Sequence, residues 1–213
     1  MTPYHFDERY DERVRLDDGT LVHFRLIGPK DKALLVDGFA RLSPESRYRR
    51  FFAAKSELSP AELRYFTELD GTNHLALGAI RADEHGSEQG LGVARFVRLP
   101  DDPAVAEAAV VVVDDFQNRG LGRLLLLRLV AAARERGVHR FRATTLADNP
   151  AARALIAELG AELRSSTTDD TLSVDVALPE ASPEARDMPP TSSLYRLFQA
   201  VARGITSVIQ THG

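Results

Sequence analysis

The hydrophobic and polar positions of the chain change their period several times, and each period predicts a different element. Residues 20–29 alternate and predict a strand, whereas residues 31–42 have the spacing of a helix. In two later places a serine directly precedes a proline: Ser43 before Pro44, and Ser59 before Pro60. Serine caps a first turn and proline fits its first position, so a helix is predicted to begin at each proline. Glu62 completes a capping box with the second serine.

The middle of the chain predicts three strands, over residues 74–82, 91–99 and 105–114. The polar connection 83–90 contains glycine and predicts a hairpin between the first two. A helix is then predicted to run to Arg136, where Gly137 stands at the C-terminal capping position. The remaining elements are a strand over 140–147, a helix over 149–160 ended by Gly160, and two strands within 161–178 around a turn at Asp169 and Asp170.

This order of elements predicts a mixed α/β (α+β) domain, because the helices cannot all be crossovers of one parallel sheet. We expect that domain to occupy residues 1–178. Residues 179–193 have the composition of a linker. Residues 194–213 place apolar side chains on one helical stripe and predict a C-terminal amphipathic helix.

The apolar stripe of this last segment should be covered by another surface, since a lone helix of this length is marginal in water. Its members recur at helical spacing: Leu194, Leu197, Phe198, Val201, Ile205, Val208 and Ile209. The covering surface is expected to be the chain's own domain or a second copy in a homodimer. A membrane ranks last, because Arg196 and Arg203 give the polar side little basic charge.

Composition narrows the class of protein. The 213 residues include no cysteine, which excludes disulfides and thiolate chemistry and agrees with a reducing, cytoplasmic location. The net charge of -4 argues against a general nucleic-acid binder. No apolar run reaches the roughly 18 residues of a membrane span. The charged N-terminal segment also lacks the apolar stretch of a secretory signal.

The segment QNRGLG, residues 117–122, joins a valine-rich strand to a leucine-rich helix. It lacks the lysine and hydroxyl of a Walker phosphate loop, and Leu125 occupies the third glycine position of a dinucleotide fingerprint. Two interpretations remain. The exposed N–H groups of the helix start can bind a phosphate with help from Arg119 and Arg123, or the glycines only relieve strain in an ordinary turn.

The longer segment VVDDFQNRGLGRLLL resembles the acetyl-CoA-binding signature of the GNAT superfamily of N-acetyltransferases, whose core is Q/R-x-x-G-x-G/A. The later ADNPAARALIAELGAE resembles the fourth helix of that family. The resemblance covers residues 16–178 and implies a GNAT-type mixed, mostly antiparallel twisted sheet flanked by helices. RLSPESRYRRFF and the second SPAEL helix further resemble the acetyltransferase domain of bacterial protein-lysine acetyltransferases.

The resemblance implies that acetyl-CoA is the acetyl donor. Val111, Val112 and Val113 are expected to run beside its pantetheine arm and to bond its amides through their backbone. Asn149 is expected at the pantetheine or at the substrate side, near the split between neighbouring strands. The residues expected to cradle the pyrophosphate are Asn118, Arg119, Gly120, Leu121, Gly122 and Arg123.

Acetyl transfer by direct attack requires a base that removes a proton from the acceptor ammonium. Glu107 is the candidate, because a charge inside AEAAVVVV is costly unless it faces a cleft, and the resembling enzymes carry a glutamate on this strand. The alternative interpretation is an exposed strand start beside a loop. Asp70 and Asp114 are weaker candidates. The histidines show no metal-binding spacing, so no metal is expected.

The resemblance has one departure, on the predicted fourth helix. Many family members carry a tyrosine there as general acid, whereas this chain has Ile156, so no general acid is assigned. The favoured function is an N-acetyltransferase acting on a primary amine, with a protein lysine as the acceptor. A small-molecule amine is the alternative acceptor. A non-catalytic regulatory module that binds acyl-CoA is the alternative class.

Overall fold

The computed structural model describes residues 4–51, 55–83, 85–146, 163–168, 171–179, 194 and 196. Four α-helices lie within these residues: α1 Lys32–Ala40, α2 Pro44–Phe51, α3 Pro60–Thr67 and α4 Leu121–Glu135. The described strands are β1 Asp11–Arg15, β2 Leu21–Leu26, β3 His74–Ala82, β4 Glu88–Arg98, β5 Val105–Val112, β6 Arg140–Leu146, β7 Leu163–Thr168 and β8 Thr171–Ala177. They form one eight-stranded sheet in the order β1-β2-β3-β4-β5-β6-β8-β7.

The neighbouring strands pair antiparallel throughout this sheet except β5 and β6, which are parallel. The parallel pairing is short, because it joins only residues 105–107 to residues 140–142. Both strands continue past their last pair, Glu107 with Arg142, but they no longer pair with each other. The sheet therefore opens into a cleft that starts at Glu107.

One face of the sheet packs against α4. Strand β5 presents Ala106 and Ala108 to this face, and β6 presents Phe141, all of them buried. The matching side of α4 is a run of leucines that includes Leu125 and Leu129, each 0% exposed. Burying a leucine contributes roughly 1.5–3 kcal/mol before entropy is counted, so this layer accounts for the leucine-rich half of the strand-to-helix segment.

Helix α1 packs on the opposite face, against β4, and α3 packs on α1. Arg47 on α2 binds the C-terminal end of α1. It donates from Nε to the Leu42 carbonyl and from Nη2 to the Ala40 carbonyl. Its guanidinium also lies over the Phe39 ring, 4.7 Å from the centroid. The helices α1 and α3 thus form one layer over the side of β4 and β5 that faces away from α4.

Most predicted elements are confirmed, and the capping box is present as predicted, with Ser59 and Glu62 bonded reciprocally. The prediction missed β1, because DERVR is charged and does not alternate clearly. The strand predicted to reach residue 114 ends at Val112, where a turn of 3-10 helix over Asp114–Phe116 begins. Gly137 has the left-handed φ of 75° expected of a helix C-terminal cap.

Some predicted elements lie outside the described residues. These are the helix 149–160, the turn at Asp169 and Asp170, residues 180–193 of the predicted linker, and residues 195 and 197–213 of the predicted C-terminal helix. In the predicted C-terminal helix, Leu194 and Arg196 have helical backbone. Leu194 is 2% exposed and belongs to the main hydrophobic cluster of the chain.

Candidate active site

The turn between β5 and α4 leaves the start of α4 open to solvent. Residues 117–120 are exposed, and Gly120 is the N-cap residue with φ 79°, a conformation that favours glycine. Gly120 provides no side-chain cap, and the first turn of α4 carries no acidic residue. The N–H groups of Leu121 and Gly122 therefore have no capping side chain, whereas the Arg123 N–H donates to the Gly120 carbonyl at 3.1 Å. A helix start without a capping side chain is suited to binding an anion.

Gly122 differs from Gly120, because neither its backbone nor the protein around it requires glycine. Its φ is not positive, and an added Cβ would meet only the Val112 Cγ2 atom at 3.6 Å, an ordinary contact. Strain relief therefore accounts for Gly120 and leaves Gly122 unexplained. The missing side chain at Gly122 keeps space open directly beside the helix start.

Two arginines flank this turn. Arg119 is exposed and pairs with Asp18 from the β1–β2 turn, Nη1 to Oδ2 at 2.7 Å. Its guanidinium also lies over the Phe116 ring, 4.8 Å from the centroid. Arg123 is half-buried in the first turn of α4. The helix start is thus flanked by positive charge, and Arg119 is held at the turn by a carboxylate from another part of the chain.

The three valines predicted to line the donor do not share one orientation. The Val113 N–H donates to the Leu91 carbonyl on the β4 side, at 2.9 Å. Because a strand turns its polar groups to alternate edges, Val111 also faces β4, and Val112 faces the cleft. The Val112 carbonyl accepts a hydrogen bond from Gln117 Nε2 at 3.1 Å. Of the three, Val112 presents its backbone to the cleft, and Val110 shares that orientation.

Glu107 lies half-buried at the inner end of the cleft, on the sheet face that carries α1 and α3. The strand register aligns His74, Val97, Glu107, Arg142 and Asp175 in one row across this face, and the next register position is Arg164 on β7. Arg142 donates to both Asp175 oxygens, from Nε at 2.6 Å and from Nη2 at 2.8 Å. These bonds raise the pKa of Arg142, although burial alone would lower it, and the charges of Asp175 and Glu107 add to the increase.

The two weaker candidate bases, Asp70 and Asp114, hold loops in place. Asp70 accepts from the N–H groups of Thr72, Asn73 and His74. Burial alone would raise the pKa of Asp70, but these bonds lower it below its ordinary value. A lowered pKa makes a weak base, so this geometry favours a structural role for Asp70.

Asp114 connects the end of β5 to the start of α2. It accepts from the Ser43 N–H at 2.7 Å and from the Ser46 hydroxyl at 2.6 Å. Gln117 Nε2 donates to the same carboxylate at 2.8 Å. These bonds position the turn that leads to α4, so Asp114 also serves the structure of the site.

An apolar cavity of about 460 Å³, including its open mouth, lies on the same face as Glu107, between α1, α3 and strands β4 and β5. Its charged lining residue is Arg95, which is 4% exposed and has its guanidinium over the Phe66 ring at 4.2 Å. The other lining residues are Leu35, Phe39, Leu42, Leu58, Phe66, Val93, Ala109 and Val111. The cavity shares a sheet face with Glu107, but Glu107 is not one of its lining residues.

Arg95, Arg142 and Asp175 also lie on this face, although the sequence did not predict them there. The sequence does contain an indication for Arg95, because LGVARFVRL places a charged residue at an inward position of an apolar strand. Asn149 and Ile156 lie outside the described residues. Within the described part of the chain, no cluster of three or more His, Cys, Asp or Glu is placed to hold a metal ion. A search of the same residues found no helix long and apolar enough to cross a membrane.

The sheet opens between β5 and β6, and an uncapped helix start lies beside the opening. Comparison with known families identifies the class of protein. Residues 33–161 match the model of the Acetyltransferase (GNAT) family. The chain belongs to this family, whose members use acetyl-CoA as the donor. The resemblance stated from the turn motif is thereby confirmed, as is the fold class.

Two curated relatives are named acetyltransferases. Acetyltransferase Pat of Mycolicibacterium smegmatis is 35% identical over 155 residues, which are 70% of this chain and 43% of that protein. Acetyltransferase PA5475 of Pseudomonas aeruginosa is 32% identical over 145 residues, 68% of this chain and 77% of that protein. The chain thus spans less than half of the Mycolicibacterium relative.

Solved structures agree with this assignment. The GNAT domain of S. lividans PAT superposes with a TM-score of 0.67 at 29% identity, covering 84% of this chain and 100% of that one. A cAMP-binding acyltransferase from Mycobacterium smegmatis gives a TM-score of 0.51 at 26% identity, covering 92% of this chain and 55% of that one. An acetyl-CoA complex of yncA from Salmonella typhimurium has the same fold at 20% identity, with a TM-score of 0.51.

Proposed function

We propose that this chain transfers the acetyl group of acetyl-CoA to the side-chain amine of a protein lysine. The family assignment supports the acetyltransferase class. The similarity to the PAT GNAT domain and to Acetyltransferase Pat supports the lysine acceptor. We assign the activity to residues 1–178, with residues 179–193 as a linker and residues 194–213 as an accessory helix.

The observation that carries the donor assignment is Gly122. Its lack of a side chain is required by neither backbone nor packing, and it stands beside uncapped N–H groups at the end of the cleft. We assign the pyrophosphate to residues 118–123 at this helix start, where the helix dipole and Arg119 favour an anion. Arg119 would exchange its bond to Asp18 for one to the pyrophosphate.

The pantetheine arm would then lie along the open edge of β5. There the pantetheine would take the place of β6, and its amides would bond to the backbone groups of Val110 and Val112. Gln117 would give up its bond to the Val112 carbonyl in favour of the ligand. We retain Asn149 as a residue that contacts the pantetheine or the acceptor. This placement brings the thioester toward Glu107, because β5 runs from the turn back to the point where the cleft begins.

The chemistry follows from Glu107 at that point. The acceptor ammonium gives a proton to the Glu107 carboxylate, directly or through one water, and the neutral amine attacks the thioester carbon. An N–H group of the β5 edge polarises the carbonyl and stabilises the negative oxygen that forms. The carbon–sulfur bond then breaks, coenzyme A leaves as its thiolate, and the nitrogen loses its second proton to water, which leaves the neutral amide. With Ile156 at the position of the family tyrosine, we assign no acid to protonate that thiolate.

Gly122→Glu tests the donor site. The new side chain would place bulk and negative charge where we locate the pyrophosphate, so acetyl-CoA affinity should fall at least a hundredfold. Isothermal titration calorimetry on the folded variant measures this. The matched control is Gly122→Ala, whose Cβ finds an ordinary contact at 3.6 Å and should fold normally. Unchanged affinity in Gly122→Glu would reject the site.

The acceptor is tested with labelled acetyl-CoA and a cell lysate. Label transferred to lysines of specific proteins supports the proposal, whereas label found only on small amines selects the alternative acceptor. Release of free thiol from acetyl-CoA reports turnover in both cases. An absence of turnover with every acceptor, together with tight acyl-CoA binding, would identify a regulatory module instead.

A further inference from the structure

The row of side chains across the sheet continues beyond Glu107 into two residues that the proposed mechanism does not use. Arg142 lies directly opposite Glu107 on β6, and Asp175 lies directly opposite Arg142 on β8. Residues that are paired in register project to the same face, so all three share one side of the sheet. Glu107 and Arg142 are also the last pair before the cleft opens.

The contacts within this row are strong and partly buried. Asp175 is 9% exposed, and both of its oxygens accept from Arg142, at 2.6 and 2.8 Å. Such a two-bond pair fixes the plane of the guanidinium. The guanidinium is therefore a fixed charge next to the proposed base.

We propose that Arg142 and Asp175 are positioning residues for Glu107: Arg142 sets the charge environment of its carboxylate, and Asp175 offsets the charge of Arg142 so that Glu107 remains a base. The proposal rests on the proposed function, in which Glu107 accepts the proton. Arg142 alone would stabilise the Glu107 carboxylate as an anion and weaken it as a base. With Asp175 bonded to it, the pair has no net charge, and Glu107 is affected less.

Other charged groups of the described chain lie at nearby register positions, and the substitutions tested below leave them in place. From β7, Arg164 is the register partner of Asp175. From β4, Val97 is the direct neighbour, and Arg95 lies one step away along the strand. From β3, His74 is in the row, and burial lowers its pKa to about 4, so it is neutral near pH 7. From β6, Arg140 lies one step away and is paired with Asp102 at 3.1 Å.

The charge arrangement predicts opposite pH shifts for two substitutions. Asp175→Asn leaves Arg142 with its full charge beside Glu107, so the acidic limb of kcat/KM against pH should move down by about one unit. Arg142→Gln removes the cation between the carboxylates of Glu107 and Asp175, so the limb should move up by about one unit. The double variant should return close to the unsubstituted protein. A merely structural role would lower activity without moving the limb in opposite directions.

The experiment measures kcat/KM for one amine acceptor from pH 5 to pH 9 at saturating acetyl-CoA, in all variants. The matched control is Glu88→Gln, which removes one carboxylate from the ion pair with Arg25 at the far end of β4 and should leave the profile unchanged. Carbon-13 NMR titration of the Glu107 carboxyl, assigned with Glu107→Gln, gives the same shifts without relying on activity. If Arg142→Gln does not fold, the titration of Glu107 in Asp175→Asn still tests the proposal.

Opposite shifts by kinetics and by NMR support the inference. An unshifted Glu107 titration in a folded Asp175→Asn protein would overturn it, even if Glu107→Gln is inactive. Full activity of Glu107→Gln would instead reject the proposed function, so the two failures are distinguishable.

Discussion

Glu107 is a carboxylate in a strand of alanine and valine, and its position explains why that arrangement is tolerated. It is half-buried at the end of the β5–β6 pairing, opposite the guanidinium of Arg142. An ionised carboxylate at such a position needs solvent or a cation nearby. The cleft gives access to solvent, and Arg142 lies opposite with its charge partly offset by Asp175. The same position is where a thioester lying along the β5 edge would arrive.

Replacing Glu107 by glutamine should therefore remove the base and preserve the strand. We expect kcat to fall by roughly 10²–10⁴-fold, the usual effect of losing a general base, while acetyl-CoA affinity barely changes. Steady-state kinetics and calorimetry on the same protein measure the two effects. Full activity near neutral pH would remove Glu107 from the mechanism.

The sequence could predict Glu107 but not the residues around it. A charge inside an apolar strand is visible in one segment, whereas Arg142 and Asp175 belong to later strands and meet Glu107 only through the pairing register. The same limit applies to the valines. Their backbone direction depends on which of them bonds to β4, and that information is absent from the run VVVV.

At the scale of elements, glycines, prolines and capping serines predicted most boundaries, because each has a local physical cause. The strand β1 could not be predicted in this way. It is an edge strand of charged residues, and it is held by contacts with residues far along the chain. Arg128 on α4 donates to both carboxylate oxygens of Glu12, each at 2.6 Å, and the Tyr10 hydroxyl donates to the same carboxylate at 2.6 Å.

Glu12→Gln tests this attachment of β1 to α4. Arg128 is 4% exposed, so losing the opposing charge should lower the free energy of unfolding by about 2–4 kcal/mol at pH 7. Urea denaturation measures the loss. The control is Asp11→Asn, on the same strand with a side chain 56% exposed, which should change stability by less than about 0.5 kcal/mol. Equal effects of the two substitutions would contradict the prediction.

The free energy of unfolding lost in Glu12→Gln should depend on pH in a predictable direction. Burial alone would raise the pKa of Glu12, but the bonds from Arg128 and Tyr10 lower it below the ordinary value of 4.5. A carboxyl with a lowered pKa in the folded state stabilises the fold above its unfolded-state pKa and loses that effect as the pH falls through the folded value. The stability difference from Glu12→Gln should therefore be constant near neutral pH and narrow below about pH 4.5.

At the scale of the whole molecule, the two faces of the sheet are covered by separate layers with different compositions. The α4 face is a continuous apolar layer that stabilises the fold, and the α1–α3 face carries the cavity and the charged row at the cleft. The layers meet at the β5–α4 turn, where a strand that ends at Val112 is followed by a helix that starts at Leu121. A single connection therefore joins the edge of the cleft to the helix start where we propose that the pyrophosphate binds.

The C-terminal segment adds a third contribution, because Leu194 is 2% exposed and packs in the main hydrophobic cluster. Cutting the chain after Pro190 should expose that site and lower the melting temperature by roughly 3–12 °C, since burying a leucine contributes about 1.5–3 kcal/mol. Leu194→Asn in the full chain should reproduce much of this loss, whereas turnover at saturating acetyl-CoA should be partly retained.

Light scattering compares the mass of the truncated protein with that of the full chain. A lower melting temperature with unchanged mass assigns the stripe to its own domain, and a halved mass assigns it to a homodimer. Unchanged melting and mass, without hydrogen-exchange protection over residues 194–209, would show that the stripe is undocked and the prediction wrong.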